Sequence, residues 1–137
     1  MLRRTGWLAE APVVQRAVRV QAGGVDRVPI TGADDAPIEA IVDRQDADYV
    51  ELRLDQRPEH YLAIGFAWSH ARGYHARLYT EPLTSPAFDF PHDSRDFTDT
   101  VDAAAAWLES VDLGNRDGSW AARTLRDLTA QLPLSQG

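Results

Sequence analysis

The residues best suited to acid–base chemistry are a glutamate and a histidine, Glu51 and His75, which lie in one stretch of alternating sequence. A positioned carboxylate or imidazole can transfer protons to and from a reacting group, which is the basis of general acid–base catalysis. Other polar and aromatic side chains, and one glycine, share the odd-numbered positions of that stretch. The predicted candidate binding residues are Tyr49, Glu51, Arg53, Tyr61, Gly65, His75, Arg77 and Tyr79.

No sequence motif supports a particular reaction. The chain lacks the G-x-S-x-G elbow, the phosphate-binding P-loop and the dinucleotide-binding fingerprint. It also contains no cysteine, which excludes disulfides, thiolate metal sites and a cysteine nucleophile. The catalytic residues are therefore unassigned, and the sequence favours a protein without enzymatic activity.

The four histidines do not form a metal-binding pattern. They are His60, His70, His75 and His92, and no two of them have the i, i+4 spacing of a helical zinc motif. His70 and His75 also have opposite parity, so one strand register would place them on different faces. We expect neither a metal site nor another cofactor.

The elements that must position the odd-numbered side chains are three strands between residues 49 and 81. Apolar residues alternate there with polar ones, which is typical of strands in a sheet with one buried face. All of the apolar positions are even-numbered, so one antiparallel meander can bury them together. These positions are Val50, Leu52, Leu54, Leu62, Ile64, Phe66, Trp68, Tyr74, Ala76 and Leu78.

The same register predicts rows of side chains across the opposite, odd-numbered face. The rows are Tyr49–Ala67–His75, Glu51–Gly65–Arg77, Arg53–Ala63–Tyr79 and Asp55–Tyr61–Glu81. Small residues on the central strand, flanked by longer side chains, predict a shallow trench suited to a ligand or a peptide. Two structural explanations compete with this one. A helix from the N-terminal part of the chain can pack on the small residues, or Glu51 and Arg77 can bridge them as a salt link.

The flanking segments predict mainly helices. Residues 12–22 fit a helix better than a strand, residues 25–32 fit a loop or a short strand, and residues 35–42 fit a short helix capped by Asp35. Two C-terminal helices are expected to start at Thr98 and Ser119. Their apolar stripes are Val101, Ala104, Ala105, Leu108 and Val111 in the first, and Ala121, Leu125, Leu128 and Leu132 in the second.

These segments together predict a single α+β domain over residues 1–137. A three- to four-stranded antiparallel meander is packed on one face by the C-terminal helices, with N-terminal helical material in addition. A chain of 137 residues with 44% hydrophobic content is long enough to form one core.

The composition limits the classes of partner. The chain has a net charge of −7, which argues against nucleic-acid binding because that needs a basic surface. Acidic residues are concentrated between positions 89 and 117, where they can steer a basic partner or simply face solvent. No segment has the apolar length of a membrane span or of a signal peptide, so we expect a soluble cytoplasmic protein without membrane contact.

The leading hypothesis is a non-enzymatic module that binds another protein, such as a regulatory or toxin-neutralising (immunity-like) partner in a bacterial system. The alternative is a small-molecule binding protein, or a small enzyme, that uses the odd-numbered face. A homodimer through that face or the last helix is compatible with either hypothesis. A deep, enclosed pocket over Ala63 and Gly65 would favour a small ligand, and a flat, acidic or helix-covered surface would favour a protein.

Overall fold

The computed structural model describes residues 24–91 and 93–132 of the chain. Its six strands are β1 (Val25–Thr31), β2 (Pro37–Asp46), β3 (Tyr49–Asp55), β4 (Leu62–Ser69), β5 (Gly73–Tyr79) and β6 (Phe88–Asp89). Two helices follow them, α1 (Phe97–Ser110) and α2 (Gly118–Ala130).

The strands form one sheet in chain order, and every neighbouring pair is antiparallel. The fold is therefore α+β, as the sequence predicts. The predicted number of strands is too low, since the described sheet has six. No described helix is both long enough and apolar enough to cross a membrane.

The predicted parity of the three central strands is confirmed by their register. Val50 pairs with Phe66, which pairs with Ala76, and in the next core row Leu52 pairs with Ile64. All of these side chains face the two helices and are buried. Because side chains alternate between the two faces of a strand, the odd-numbered residues face the other way.

The helices form the second layer, with α1 packed on β5 and α2 packed on β3. Their predicted apolar stripes are buried in the core that they share with the sheet, except for Val111, which is the half-buried C-cap of α1. The N-caps are Asp96 and Asp117 and not the predicted Thr98 and Ser119. Each aspartate carboxylate accepts a hydrogen bond from a free backbone N–H of the first turn, which is the usual role of this residue at a helix start.

The predicted helix over residues 35–42 is wrong, because this segment is the turn before β2 and the first part of that strand. Asp35 lies in the left-handed region at φ 67° and is not a helix cap. Ile38, Ile41 and Val42 have helical spacing, but Ile38 and Val42 also share one parity with Ala40, as in a strand. Pairing with β1 on one side and β3 on the other supplies two ladders of hydrogen bonds, and this tertiary context decides in favour of the strand.

The predicted row Asp55–Tyr61–Glu81 is also wrong, because the register shifts near the end of β3. Asp55 pairs with Leu62, so β3 carries one extra residue at this point, as in a β-bulge. The buried Asp55 accepts a hydrogen bond from Arg57 at 2.8 Å, and Arg57 also donates to Asp34 in the β1–β2 turn at 2.8 Å. The hydrogen bond from Arg57, together with one from the backbone N–H of Ala36, lowers the pKa of Asp34 from 3.8 to about 2.

The N-terminal helical material predicted over residues 12–22 lies outside the described residues. The predicted helical cover for the odd-numbered face belongs to the same segment. Among the described residues, both helices pack on the even-numbered face.

Truncation of Phe66 tests this core. Its ring is fully buried and lies 5.1 Å from the ring of Phe97 in an edge-to-face arrangement. We expect Phe66→Ala to lower the free energy of unfolding by about 3–5 kcal/mol, because the cavity is closed in by both layers. Urea denaturation measures the loss, and Leu83→Ala, a change at a fully exposed residue, is the control. A loss below about 1 kcal/mol would mean that Phe66 is not a core residue.

Candidate functional site

The odd-numbered face of the sheet contains an open cleft with a volume of about 680 Å³. Strands β2, β3 and β5, the β3–β4 turn and the loop between β5 and β6 contribute its walls. The lining residues are Gln45, Asp46, Tyr49, Glu51, Arg53, Gln56, Tyr61, Arg77, Tyr79, Glu81, Pro82, Leu83 and Thr84. We call this surface the cleft.

The structure brings most of the predicted binding residues together. Six of the eight line the cleft, and they are Tyr49, Glu51, Arg53, Tyr61, Arg77 and Tyr79. The other two, Gly65 and His75, are buried and do not belong to its lining. The three predicted rows that cross Ala67, Gly65 and Ala63 are all formed.

Gly65 is required because the ring of Tyr49 crosses directly above it. A Cβ atom built on Gly65 would lie 2.0 Å from the Tyr49 hydroxyl oxygen and 2.8 Å from the ring carbon that carries it. Both distances are shorter than any van der Waals contact allows. The small central residue therefore makes room for a tyrosine from the neighbouring strand, which is a third explanation beside the helix and the salt link.

The hydroxyl group of Tyr49 reaches across the sheet to a second tyrosine. Its oxygen lies 3.2 Å from the hydroxyl oxygen of Tyr79, so the two phenols form a hydrogen bond. Burial raises the pKa of Tyr49 well above its ordinary range, and the bond to Tyr79 raises it further. Tyr49 is consequently a neutral hydrogen-bonding group at physiological pH.

Arg53 holds two carboxylates that oppose each other on neighbouring strands. Asp43 of β2 pairs with Glu51 of β3, and like charges in such positions repel. Arg53 donates from Nε to Glu51 at 2.8 Å and from Nη2 to Asp43. The predicted salt link from Glu51 to Arg77 is replaced by this arrangement.

His75 is separated from Glu51 and from the cleft. Only 5% of its surface is exposed, and neither ring nitrogen has a hydrogen-bond partner. Burial lowers the pKa of His75, and the nearby charges of Arg72 and Arg77 lower it further, against smaller opposing effects of Asp89 and Asp93. Glu51 and His75 therefore do not form the predicted acid–base pair.

The described histidines are not grouped with acidic side chains in the way that a metal ion needs. No cluster of three or more such ligands occurs within residues 24–91 and 93–132. His92 lies outside the described residues.

Sequence reasoning missed two contributors to the cleft. Strand β2 adds Gln45 and Asp46 to the lining, and the loop between β5 and β6 adds the wall around Leu83. The alternation of Ile38, Ala40 and Val42 could have identified β2. The signal for the loop is a single leucine in a proline-rich polar stretch, which is too weak to place a residue at a site.

Comparison of the chain with protein-family models, curated proteins and solved structures found no match.

The position of the Tyr49 ring predicts strong coupling between two substitutions. Gly65→Ala should lower the free energy of unfolding by about 1–3 kcal/mol, because the new methyl group displaces the ring. The same change in a Tyr49→Ala background should cost close to nothing, since the space is then free. Urea denaturation of the double-mutant cycle measures this difference.

Tyr79→Phe is the control for this cycle, because it removes the hydroxyl partner and leaves the space above Gly65 unchanged. Its cost should be about 0.5–1.5 kcal/mol, the usual contribution of one hydrogen bond. Additive effects of Gly65→Ala and Tyr49→Ala would contradict the proposed placement of the ring.

The environment of His75 predicts a loss of stability on mild acidification. Its folded-state pKa lies below the unfolded value of about 6.5, so the unfolded chain binds the proton first. Stability should therefore fall as the pH drops through about 6.5, and this contribution should level off below the folded-state pKa.

Urea denaturation between about pH 5 and pH 7.5 measures this dependence for wild type and for His75→Leu. His75→Leu should remove part of the acid-induced loss of stability, whereas His70→Gln, at an exposed position, should leave this loss unchanged. A proton NMR titration that places the pKa of His75 at or above 6.5 would contradict the assigned environment.

Proposed function

We propose that this protein is a non-enzymatic module that binds another protein through the cleft and the adjoining loop between β5 and β6. The partner is a macromolecule that covers this surface, and no reaction is carried out on it. Three features of the described residues support the proposal: an exposed apolar side chain, a set of residues common at interface hot spots, and a mixed pattern of charge.

The exposed side chain of Leu83 is the main observation that supports the proposal. Leu83 lines the edge of the cleft, is fully exposed with a relative exposure of 104%, and lies at φ 59°. The left-handed region is unfavourable for a residue with a branched side chain, and strain of this kind is common at functional sites. In the isolated protein, no burial of the Leu83 side chain compensates for this strain. Contact with an apolar surface of a partner protein would bury the side chain.

The lining residues of the cleft resemble those of binding hot spots. Tyrosine and arginine are enriched among residues that contribute most to protein–protein affinity. Tyr49, Tyr61 and Tyr79 present rigid rings with hydroxyl groups, and Arg53 and Arg77 lie between them. Most of these side chains are half-buried already, so ordering them on binding costs little conformational entropy.

The charge pattern favours a partner with basic groups around the contact. The chain carries a net charge of −7, and the exposed acids Asp46 and Glu81 lie along the cleft. Complementary charge speeds encounter and selects among partners. A regulatory or toxin-neutralising role in a bacterial system is compatible with this acidity and small size.

A small-molecule site is the second candidate, and the volume of the cleft is its supporting observation. About 680 Å³ is within the usual range for ligand pockets of about 300–1,000 Å³. Such pockets are mostly apolar and enclose the ligand, whereas this cleft is open and lined mainly by charged and hydroxyl groups. Its form therefore suits a protein surface better.

Affinity capture from the native host tests the proposal with two matched substitutions. Leu83→Asp places a charge at the edge of the cleft, and Ala106→Asp places the same charge on an exposed position of α1. We expect one captured protein to be reduced about tenfold or more by Leu83→Asp, which corresponds to a hot-spot loss above 1 kcal/mol. Ala106→Asp should capture it as wild type does.

Three outcomes would overturn this function. Capture that is insensitive to Leu83→Asp would place the interface elsewhere, and the absence of any reproducible partner would contradict a binding role. A small molecule retained by the protein in native mass spectrometry, and released by Tyr79→Ala, would favour the second candidate. Light scattering shows separately whether the partner is another copy of this chain, since Leu83→Asp would then abolish a dimer.

A further inference from the structure

Arg77 differs from the other half-buried arginines of the described residues because it has no ionic or hydrogen-bonding partner. Its side chain lines the cleft from β5. Arg44, Arg53 and Arg57 each form an ion pair, and Arg116 donates to two backbone carbonyl groups. A half-buried guanidinium without a protein partner keeps its hydrogen-bond donors available to a ligand.

The two carboxylates closest to Arg77 in the sheet register are engaged by other arginines. Arg77 lies in one row with Glu51, across Gly65, and with Asp89 of β6. Glu51 accepts from Arg53 at 2.8 Å, and the nearest arginine contact of Asp89 is Arg72 at 3.9 Å. The positive charge of Arg77 is thus left available at the cleft.

Hydroxyl donors lie beside this charge. Tyr49 and Tyr79 share one hydrogen bond, which uses one of their two hydroxyl protons and leaves the other free to donate. Arg77 is close enough to Tyr49 to act on its hydroxyl group electrostatically. A guanidinium with a neighbouring phenol is a set of donors without a matching acceptor, and such a set suits an anion.

We propose that Arg77, with the Tyr49–Tyr79 pair, forms a binding subsite for a carboxylate, and that an aspartate or glutamate side chain of the partner protein occupies it. This inference rests on the proposed function and names the chemistry of one contact within it. A planar carboxylate can accept two parallel hydrogen bonds from a guanidinium, which gives the contact a defined orientation.

The surrounding charges favour a carboxylate over a phosphate group. Glu51, Asp46 and Glu81 line the same cleft, and Arg53 already neutralises part of this negative charge. A phosphate monoester carries nearly two negative charges at neutral pH, and Arg77 can balance one. The second charge would be repelled by the acids around it.

NMR titration with short peptides tests the subsite without the partner. The probes are the blocked tripeptides acetyl-Gly-Glu-Gly-amide, acetyl-Gly-Gln-Gly-amide and acetyl-Gly-phosphoSer-Gly-amide. We expect the Nε–H signal of Arg77 to shift saturably with the glutamate peptide, at a dissociation constant of about 1–10 mM. The glutamine peptide should bind about tenfold more weakly, and the phosphoserine peptide more weakly than the glutamate peptide.

Two variants assign the effect to this arginine. Arg77→Gln should abolish the saturable response, as followed by the backbone signals of β5. Arg123→Gln, at an exposed position of α2, removes the same charge and should leave the response unchanged. Equal binding of the glutamate and glutamine peptides would overturn the subsite, as would an unchanged response in Arg77→Gln. Tighter binding of phosphoserine would replace the carboxylate by a phosphate.

The failure of this subsite is distinguishable from failure of the proposed function. If Arg77→Gln still captures the partner protein that Leu83→Asp loses, the interaction stands and the carboxylate contact is wrong. If the peptides respond as expected but no protein is captured, the anion site stands and the protein-binding role is wrong.

Discussion

The packing of β4 between two different covers is the constraint on which the rest of the structure depends. From Leu62 to Phe66 every residue of this strand is buried, including those that face away from the helices. On the helical side, Ile64 and Phe66 fill the core. On the other side, Gly65 leaves room for the ring of Tyr49, and the small Ala63 lies between Arg53 and Tyr79 in its row. A shift of one residue would exchange the two sets, which neither cover could accept.

That constraint also determines which polar groups meet at the cleft. With the register fixed, Asp43 and Glu51 must oppose each other, and Arg53 from the next row compensates for their repulsion. The same row order places Arg77 across Gly65 from a glutamate that is already engaged. An unneutralised arginine is thus the consequence of how charges are distributed among the strands.

The central sheet and the helical layer were predictable because period-two and helical patterns are strong over residues 50–78 and 98–132. The strand β2 was not, since Ile38 and Val42 fit both periods while Ile41 fits only the helical one, and only pairing with two neighbours decides in favour of the strand. The alternation pattern also could not predict the bulge at the end of β3, because one extra residue does not change the composition of the strand. Six of the eight predicted binding residues line the cleft, but the role of Gly65 required the position of a tyrosine ring.

The acidic stretch shows why net charge alone is weak support for a site in this protein. Asp96 and Asp117 cap the helices, Asp93 pairs with Arg72, and Asp112 accepts from the backbone N–H of Gly114. Each of these carboxylates has a local structural role that accounts for its presence. Leu83 and Arg77 have no such structural role. Leu83 makes no apolar contact with the described residues, and Arg77 has no counter-charge among them. Both lie at the same cleft, and a single protein surface with an apolar pocket and an acidic side chain would satisfy them together.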